Sequence, residues 1–97
     1  MSFGDHCKEE IRLVLLRSLN EFPSYRGNTS TLHRRLESLA LSVSRDQVKT
    51  ELYWLAEQGL IKIEEDLDSI MMVKLTTRGQ DVAEGRIRTH GVLRPSA

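Results

Sequence analysis

The residues with the most evident chemistry lie near position 45. Arg45, Gln47 and Thr50 carry hydrogen-bonding groups that suit the edges of DNA bases, since arginine matches guanine and glutamine matches adenine. Lys49 and Tyr53 lie among them and can bind phosphate, which positions a protein on a duplex without reading its sequence. A polar helix face that contacts only water has the same residue types. The elements that hold these side chains therefore decide what they do.

A second group of basic residues precedes this segment and is also suited to phosphate. Its members are Arg26, His33, Arg34 and Arg35. Arg26 lies in a predicted loop and the other three lie on a predicted helix. Adjacent arginines also occur on exposed helices that bind nothing, so this pattern alone does not decide between the two interpretations.

The sequence offers little for catalysis or for metal binding. The single cysteine, Cys7, adjoins His6, but neighbouring residues on a helix diverge by about 100°, and no Cys-x-Cys or His-x-x-His spacing accompanies them. The chain has no glycine-rich phosphate loop and no paired nucleophile and base. We therefore expect neither an enzyme nor a metal site or cofactor.

Composition fits one soluble domain. The chain has 97 residues, 39% of them apolar, with 14 basic and 14 acidic residues and a formal net charge of zero. A neutral charge gives no general attraction to nucleic acid. No apolar run approaches the roughly 20 residues that span a bilayer, and a lone cysteine suits a reducing compartment. We expect a cytoplasmic protein that does not enter a membrane.

The first helix is predicted from Asp5, a suitable N-cap, to Phe22, because Pro23 disfavours helical geometry in the residue before it. At about 100° per residue, one apolar face gathers Cys7, Ile11, Val14, Leu15, Leu19 and Phe22. Leu13 and Leu16 fall outside this face and form a second strip. A monomer would leave that strip partly exposed, so both leucines are candidate contacts of a homodimer, the commonest assembly.

Two more helices are predicted after a loop over residues 23–28. The second is capped by Thr29 or Ser30, and its buried stripe is Leu32, Leu36 and Leu39. The third begins after Ser44, which stands three residues before Gln47 as in a capping box, and Gly59 ends it. Its buried stripe is Val48, Leu52 and Leu55, and Trp54 is expected at the core margin near the following hairpin. If Gln47 closes the capping box, its amide is less available to a base.

After Gly59, the spacing of apolar residues changes from a helical period to alternation. Residues 60–65 and 70–75 are predicted as two strands of a hairpin, joined by a turn over residues 66–69. Thr77 and Gln80 repeat the capping-box spacing and open a short helix through about Glu84. The expected domain is 1–85, followed by a basic C-terminal arm or tail over 86–97, extended or frayed.

Three helices followed by a hairpin and a short helix predict an α+β, mostly α-helical fold of the winged helix-turn-helix type. The run SRDQVKTELYWLAEQGLI, from Ser44 to Ile61, resembles the recognition helix and strand entry of bacterial winged-helix transcriptional regulators. The later LTTRG, from Leu75 to Gly79, resembles the signature that closes their wing. More loosely, the whole chain is similar to a family of small winged-helix proteins of Mu-like prophages. The resemblance implies a prophage-encoded regulator that binds double-stranded DNA with its third helix in the major groove.

The predicted wing departs from the DNA-binding pattern. Between Ile61 and Leu75, two lysines stand against four acidic residues, a net charge of −2 that phosphates should repel. The segment from Thr76 to Ala97 is net +2 and offers compensation as a flexible arm. The alternative function is a protein interaction module that docks on a phage or host protein. It would use the acidic wing or the leucine strip of the first helix, without binding DNA.

Overall fold

Helices dominate the chain and a small sheet closes one side. The computed structural model describes residues 3–67 and 70–95. In that part of the chain there are four α-helices: α1 (Phe3–Glu21), α2 (Thr29–Ser38), α3 (Arg45–Glu57) and α4 (Thr77–Ala83). The strands are β1 (Arg26–Asn28), β2 (Ile61–Leu67) and β3 (Ile70–Leu75), and a 3-10 turn, Pro23–Tyr25, follows α1. The predicted α+β, mostly helical class is confirmed.

The sheet is antiparallel, with β3 between β1 and β2. β2 and β3 confirm the predicted hairpin. Asp66 and Leu67, which were predicted as turn, lie at the end of β2, because the strand continues two residues further, and the remaining positions of the predicted turn, Asp68 and Ser69, lie outside the described residues. β1 was predicted as loop. Three residues are too few to show a period of two, and Gly27, which pairs with Val73, adds no side-chain signal. The register shifts between Ile63 and Glu65, so residue 64 is the extra residue of a bulge in β2.

Helices α2, α3 and α4 each begin after a residue whose side chain caps the helix, and two of these capping residues lie one position earlier than predicted. Ser44 caps α3 as expected, since its Oγ accepts a bond from the Gln47 amide at 3.0 Å. Asn28 caps α2 in place of Thr29 or Ser30, and Thr76 caps α4 in place of Thr77. Asparagine and threonine oxygens at these positions reach the free amide two or three residues on. Asp5 lies inside α1, which extends to Phe3.

The core is built on α1, which α2, α3, α4 and β3 all contact. Because α1 is enclosed by these elements, it is buried on more than one face. Leu13 and Leu16 are 5% and 0% exposed, so the expectation that they lie outside the core is wrong. Leu39 was predicted as core but lies beyond the end of α2 and is 53% exposed. The predicted stripe of α3 is confirmed, with no exposure at Val48, Leu52 and Leu55.

The C-terminal segment packs against the body of the protein as far as Pro95. The Leu93 amide donates to the Glu9 carbonyl oxygen at 3.2 Å, Val92 is buried, and Ile87 contacts the core cluster. The expected extended or frayed arm is therefore wrong for these residues, while Ser96 and Ala97 lie outside the described part. The extended or frayed arm was predicted from the glycines, proline and arginines of the segment. Its apolar residues Ile87, Val92 and Leu93 instead pack in or against the core.

Candidate nucleic-acid interface

The outer face of α3 is open to solvent at its first turns. Arg45, Asp46 and Thr50 are exposed, while the opposite face is fully buried. Arg45 has no hydrogen bond or ion pair with the residues that the structure describes, so its guanidinium is available to a ligand. The Thr50 hydroxyl donates to the Asp46 carbonyl oxygen at 3.0 Å and still has lone pairs that can accept. Two of the three base-reading candidates therefore share an exposed surface.

Gln47, the third candidate, faces the other way. It is half-buried, and its side-chain nitrogen donates to the Glu51 carboxylate instead of returning to the backbone at Ser44. Only the serine half of the predicted capping box is formed. The Gln47 amide is thus committed within the protein, as the sequence suggested, but to a different acceptor.

Glu51 is the centre of a buried polar network that sequence reasoning missed. Glu51 is 1% exposed, and its Oε1 accepts a hydrogen bond from Arg12 Nε at 2.7 Å. Arg12 also donates to the Gly91 carbonyl oxygen at 2.9 Å and lies 3.8 Å from the centre of the Trp54 ring. Trp54 therefore borders the core as predicted, with Arg12 as its neighbour. The spacing 48, 51, 52 and 55 places an acid within the buried stripe, and that was the available signal.

Arg26 is held by the β2–β3 hairpin. Its Nε and Nη2 donate to the two oxygens of Glu64 at 2.7 Å and 3.2 Å, a bidentate pair. These hydrogen bonds, aided by the charge attraction, raise the pKa of Arg26 and lower that of Glu64. Arg26 and Glu64 belong to β1 and β2, which flank β3 on opposite sides. The pair therefore crosses the sheet.

Lys49 and Tyr53 are also engaged by the hairpin. Lys49 Nζ lies 3.3 Å from Asp66 Oδ1, and the Tyr53 hydroxyl donates to the other carboxylate oxygen. The bond from Tyr53 is the main cause that lowers the pKa of Asp66, and the same bond raises the pKa of Tyr53. The carboxylates of the hairpin thus engage three of the predicted phosphate contacts: Arg26, Lys49 and Tyr53.

The candidates on α2 differ from one another. Arg34 is exposed and has no polar partner among the described residues. Arg35 Nη2 binds Glu21 Oε1 at 2.8 Å, which ties α2 to the end of α1. His33 Nε2 lies 2.7 Å from the Val43 carbonyl oxygen, so this ring holds the connection between α2 and α3. Arg34 is the residue of this group best placed to meet a ligand.

Other site types find no support within residues 3–67 and 70–95. No group of three or more histidine, cysteine, aspartate or glutamate side chains is arranged to hold a metal ion there. His6 is exposed and Cys7 is half-buried. The helices of this part of the chain are all too short or too polar to cross a bilayer.

Comparison with known proteins identifies relatives in a phage and in a bacterium. The chain is 47% identical over 92 residues to the uncharacterized protein gp26 of Escherichia phage Mu, a match that covers 95% of this chain and 94% of that protein. The chain belongs to the family of phage Mu gp26.

A second relative of the gp26 family, an uncharacterized protein of Haemophilus influenzae (strain ATCC 51907 / DSM 11121 / KW20 / Rd), is 41% identical over 78 residues. That match covers 80% of this chain and 76% of the relative. No protein-family model matches the chain, and no solved structure has significant similarity to it. The predicted kinship with small proteins of Mu-like prophages is therefore confirmed, whereas the likeness to winged-helix regulators stays a prediction.

Proposed function

We propose that this member of the gp26 family is a winged-helix protein that binds double-stranded DNA and regulates transcription. The observation that carries the proposal is the exposed start of α3, where Arg45 and Thr50 face solvent and Arg45 has no acidic partner among the described residues. The N-terminal part of a recognition helix is the part that contacts base edges in the major groove. Arg45 then reads guanine and Thr50 contacts a neighbouring base or phosphate.

The order of elements supports this proposal. α1, α2 and α3 precede the β2–β3 hairpin, and α2 packs against α3. His33 on α2 binds the backbone of the connection between these two helices. In this arrangement α3 enters the groove, Arg34 and Arg35 approach the phosphates from α2, and Arg26 approaches them from β1. A homodimer in the cytoplasm, on a two-fold symmetric operator, completes the proposal. Its subunit contacts lie elsewhere than Leu13 and Leu16, which are buried.

Fluorescence anisotropy with mixed-sequence duplex at about 50 mM and about 200 mM salt tests the proposal. If only Arg34 and Arg45, which have no polar partner among the described residues, neutralise phosphates of a mixed-sequence duplex, the fourfold rise in salt weakens binding by about 12-fold. Arg45→Ala should cost about 1–3 kcal/mol on a selected site and relax base preference there. Arg88→Ala is the matched control, because Arg88 is also exposed and unpaired among the described residues but lies in the C-terminal segment. Absence of binding at micromolar protein in low salt would refute the proposal.

A second candidate function, docking on a phage or host protein, is favoured by the outer end of the hairpin. Leu67 is 57% exposed and Glu65 beside it is exposed and makes no ion pair with the described residues. An exposed leucine among acids suits a partner surface with an apolar pocket and a basic rim. The leucine strip of the first helix does not support this function, because Leu13 and Leu16 are buried.

A further inference from the structure

We propose that Glu64 and Asp66 form a carboxylate clasp, which occupies phosphate positions on the DNA-binding face and which a duplex must displace. The proposal rests on the proposed function and adds its regulation. The clasp is defined by two contacts: Glu64 with Arg26, and Asp66 with Lys49 and Tyr53. Each contact joins a hairpin acid to a residue suited to phosphate.

The bulge in β2 explains how the clasp reaches both sides. Ile63 pairs with Val73 and Glu65 with Met72, so Glu64 is the residue without a strand partner. A bulge redirects side chains and increases local twist, which here brings Glu64 to Arg26 across β3. Two residues further along β2, Asp66 lies against α3. The acidic wing is therefore arranged against the basic residues around it.

The geometry of the clasp is that of phosphate recognition. A guanidinium binds carboxylate and phosphate through the same two-pronged hydrogen bonds. While the clasp is closed, the charges of Arg26 and Lys49 are locally cancelled, and Arg34 and Arg45 remain as unpaired cations near α2 and α3. A non-specific duplex then meets few free cations. A specific duplex gains enough base contact to open the clasp, so the device suppresses non-specific binding.

The direct test is the double substitution Glu64→Gln and Asp66→Asn, which keeps the side-chain shapes and removes both charges. An exposed ion pair contributes at most about fivefold at equilibrium, so the variant should bind mixed-sequence duplex up to about 25-fold more tightly. Duplex binding by the variant should also depend more steeply on salt concentration than binding by the wild type. Four cations free to neutralise phosphate give about a 150-fold loss between about 50 mM and about 200 mM salt, against about 12-fold for two.

The matched control is Glu57→Gln with Glu65→Gln. Both residues are exposed, neither forms an ion pair within the described residues, and the net charge changes by the same amount. We expect this control to gain less than about threefold, because only long-range repulsion is relieved. An equal gain in the control and the clasp variant would overturn the clasp while leaving DNA binding intact.

A second measurement uses the unaltered protein and does not depend on the variant folding. In carbon-13 NMR, adding a duplex selected for specific binding should shift the side-chain carboxyl resonances of Glu64 and Asp66 and leave that of Glu57 in place. Binding without these shifts would overturn the clasp alone. If neither the wild type nor the clasp variant binds duplex, the proposed function fails and the clasp fails with it.

Discussion

The buried pair of Arg12 and Glu51 allows a quantitative test of the fold. In Arg12→Met, an unbranched apolar side chain of similar length replaces the guanidinium. Glu51, whose side chain is 2% exposed, then loses its ionic partner. Removing one partner of a buried pair costs about 3–5 kcal/mol, because the remaining charge stays desolvated. The contacts of Arg12 with Gly91 and Trp54 are lost as well.

A loss of this size is large for a domain of 97 residues. Each kcal/mol lowers the melting temperature of such a domain by about 4–8 °C, so the smaller cost predicts a fall of about 12 °C or more. Urea denaturation followed by the emission of the single tryptophan, Trp54, and by circular dichroism measures the free energy of unfolding. A decrease in that free energy of less than about 1 kcal/mol would refute the buried ionic network.

The double variant Arg12→Met with Glu51→Leu is the control for this prediction. Replacing a whole buried pair by apolar residues is often neutral or stabilising. The double variant should therefore recover most of the stability that Arg12→Met loses. If the double variant loses as much stability as Arg12→Met and Glu51→Leu lose in sum, the two residues do not interact and the network does not hold α1 to α3.

Three further predictions concern packing and charge. Gly79→Ala should cost about 3 kcal/mol or more, because its Cβ would lie 2.0 Å from the Leu60 backbone oxygen. Gly59→Ala, at φ +75° with open space, should cost only about 1–2 kcal/mol. Equal midpoints in urea would contradict the close contact at Gly79. Leu16→Ala should cost about 2–5 kcal/mol and leave the mass measured by sedimentation unchanged; a change of mass with little loss of stability would restore Leu16 to an interface. The pKa of Asp66, measured by NMR, should lie below its ordinary value of 3.8 and move back toward it in Tyr53→Phe. Because the folded pKa is lowered, the contribution of Asp66 to stability is present above about pH 4 and is lost as the pH falls through the folded pKa; an unaltered pKa in Tyr53→Phe would show that the hydroxyl does not bind Asp66.

Elements long enough to show a clear period were predicted correctly from the sequence. α3 has three and a half turns with a clear apolar stripe, and its capping serine and terminal Gly59 were both identified. Exposure of Arg45 and Thr50 followed from the same periodicity. β1 was missed because three residues carry no period, and its strand partner, β3, lies more than 40 residues away. Long-range pairing is set by the whole fold and is not encoded in a local window.

The charged contacts of the candidate interface were the least predictable part. Arg26 and Glu64 are 38 residues apart, and their meeting depends on the strand order and on the bulge. An acidic wing that phosphate would repel was predicted from the sequence, but the binding of those acids to the basic residues of the same face was not. Burial of Leu13 and Leu16 was missed for a related reason, since one amphipathic face was assumed for a helix that is enclosed on several sides.

We propose that the outer face of α3 binds duplex DNA, and amide NMR of the labelled protein reports that binding residue by residue. On titration with a duplex selected for specific binding, the largest chemical-shift changes should fall in residues 45–53 and 62–66, with small changes over residues 87–95. Shifts confined to the C-terminal segment, or a spectrum that does not change at saturating duplex, would contradict the account.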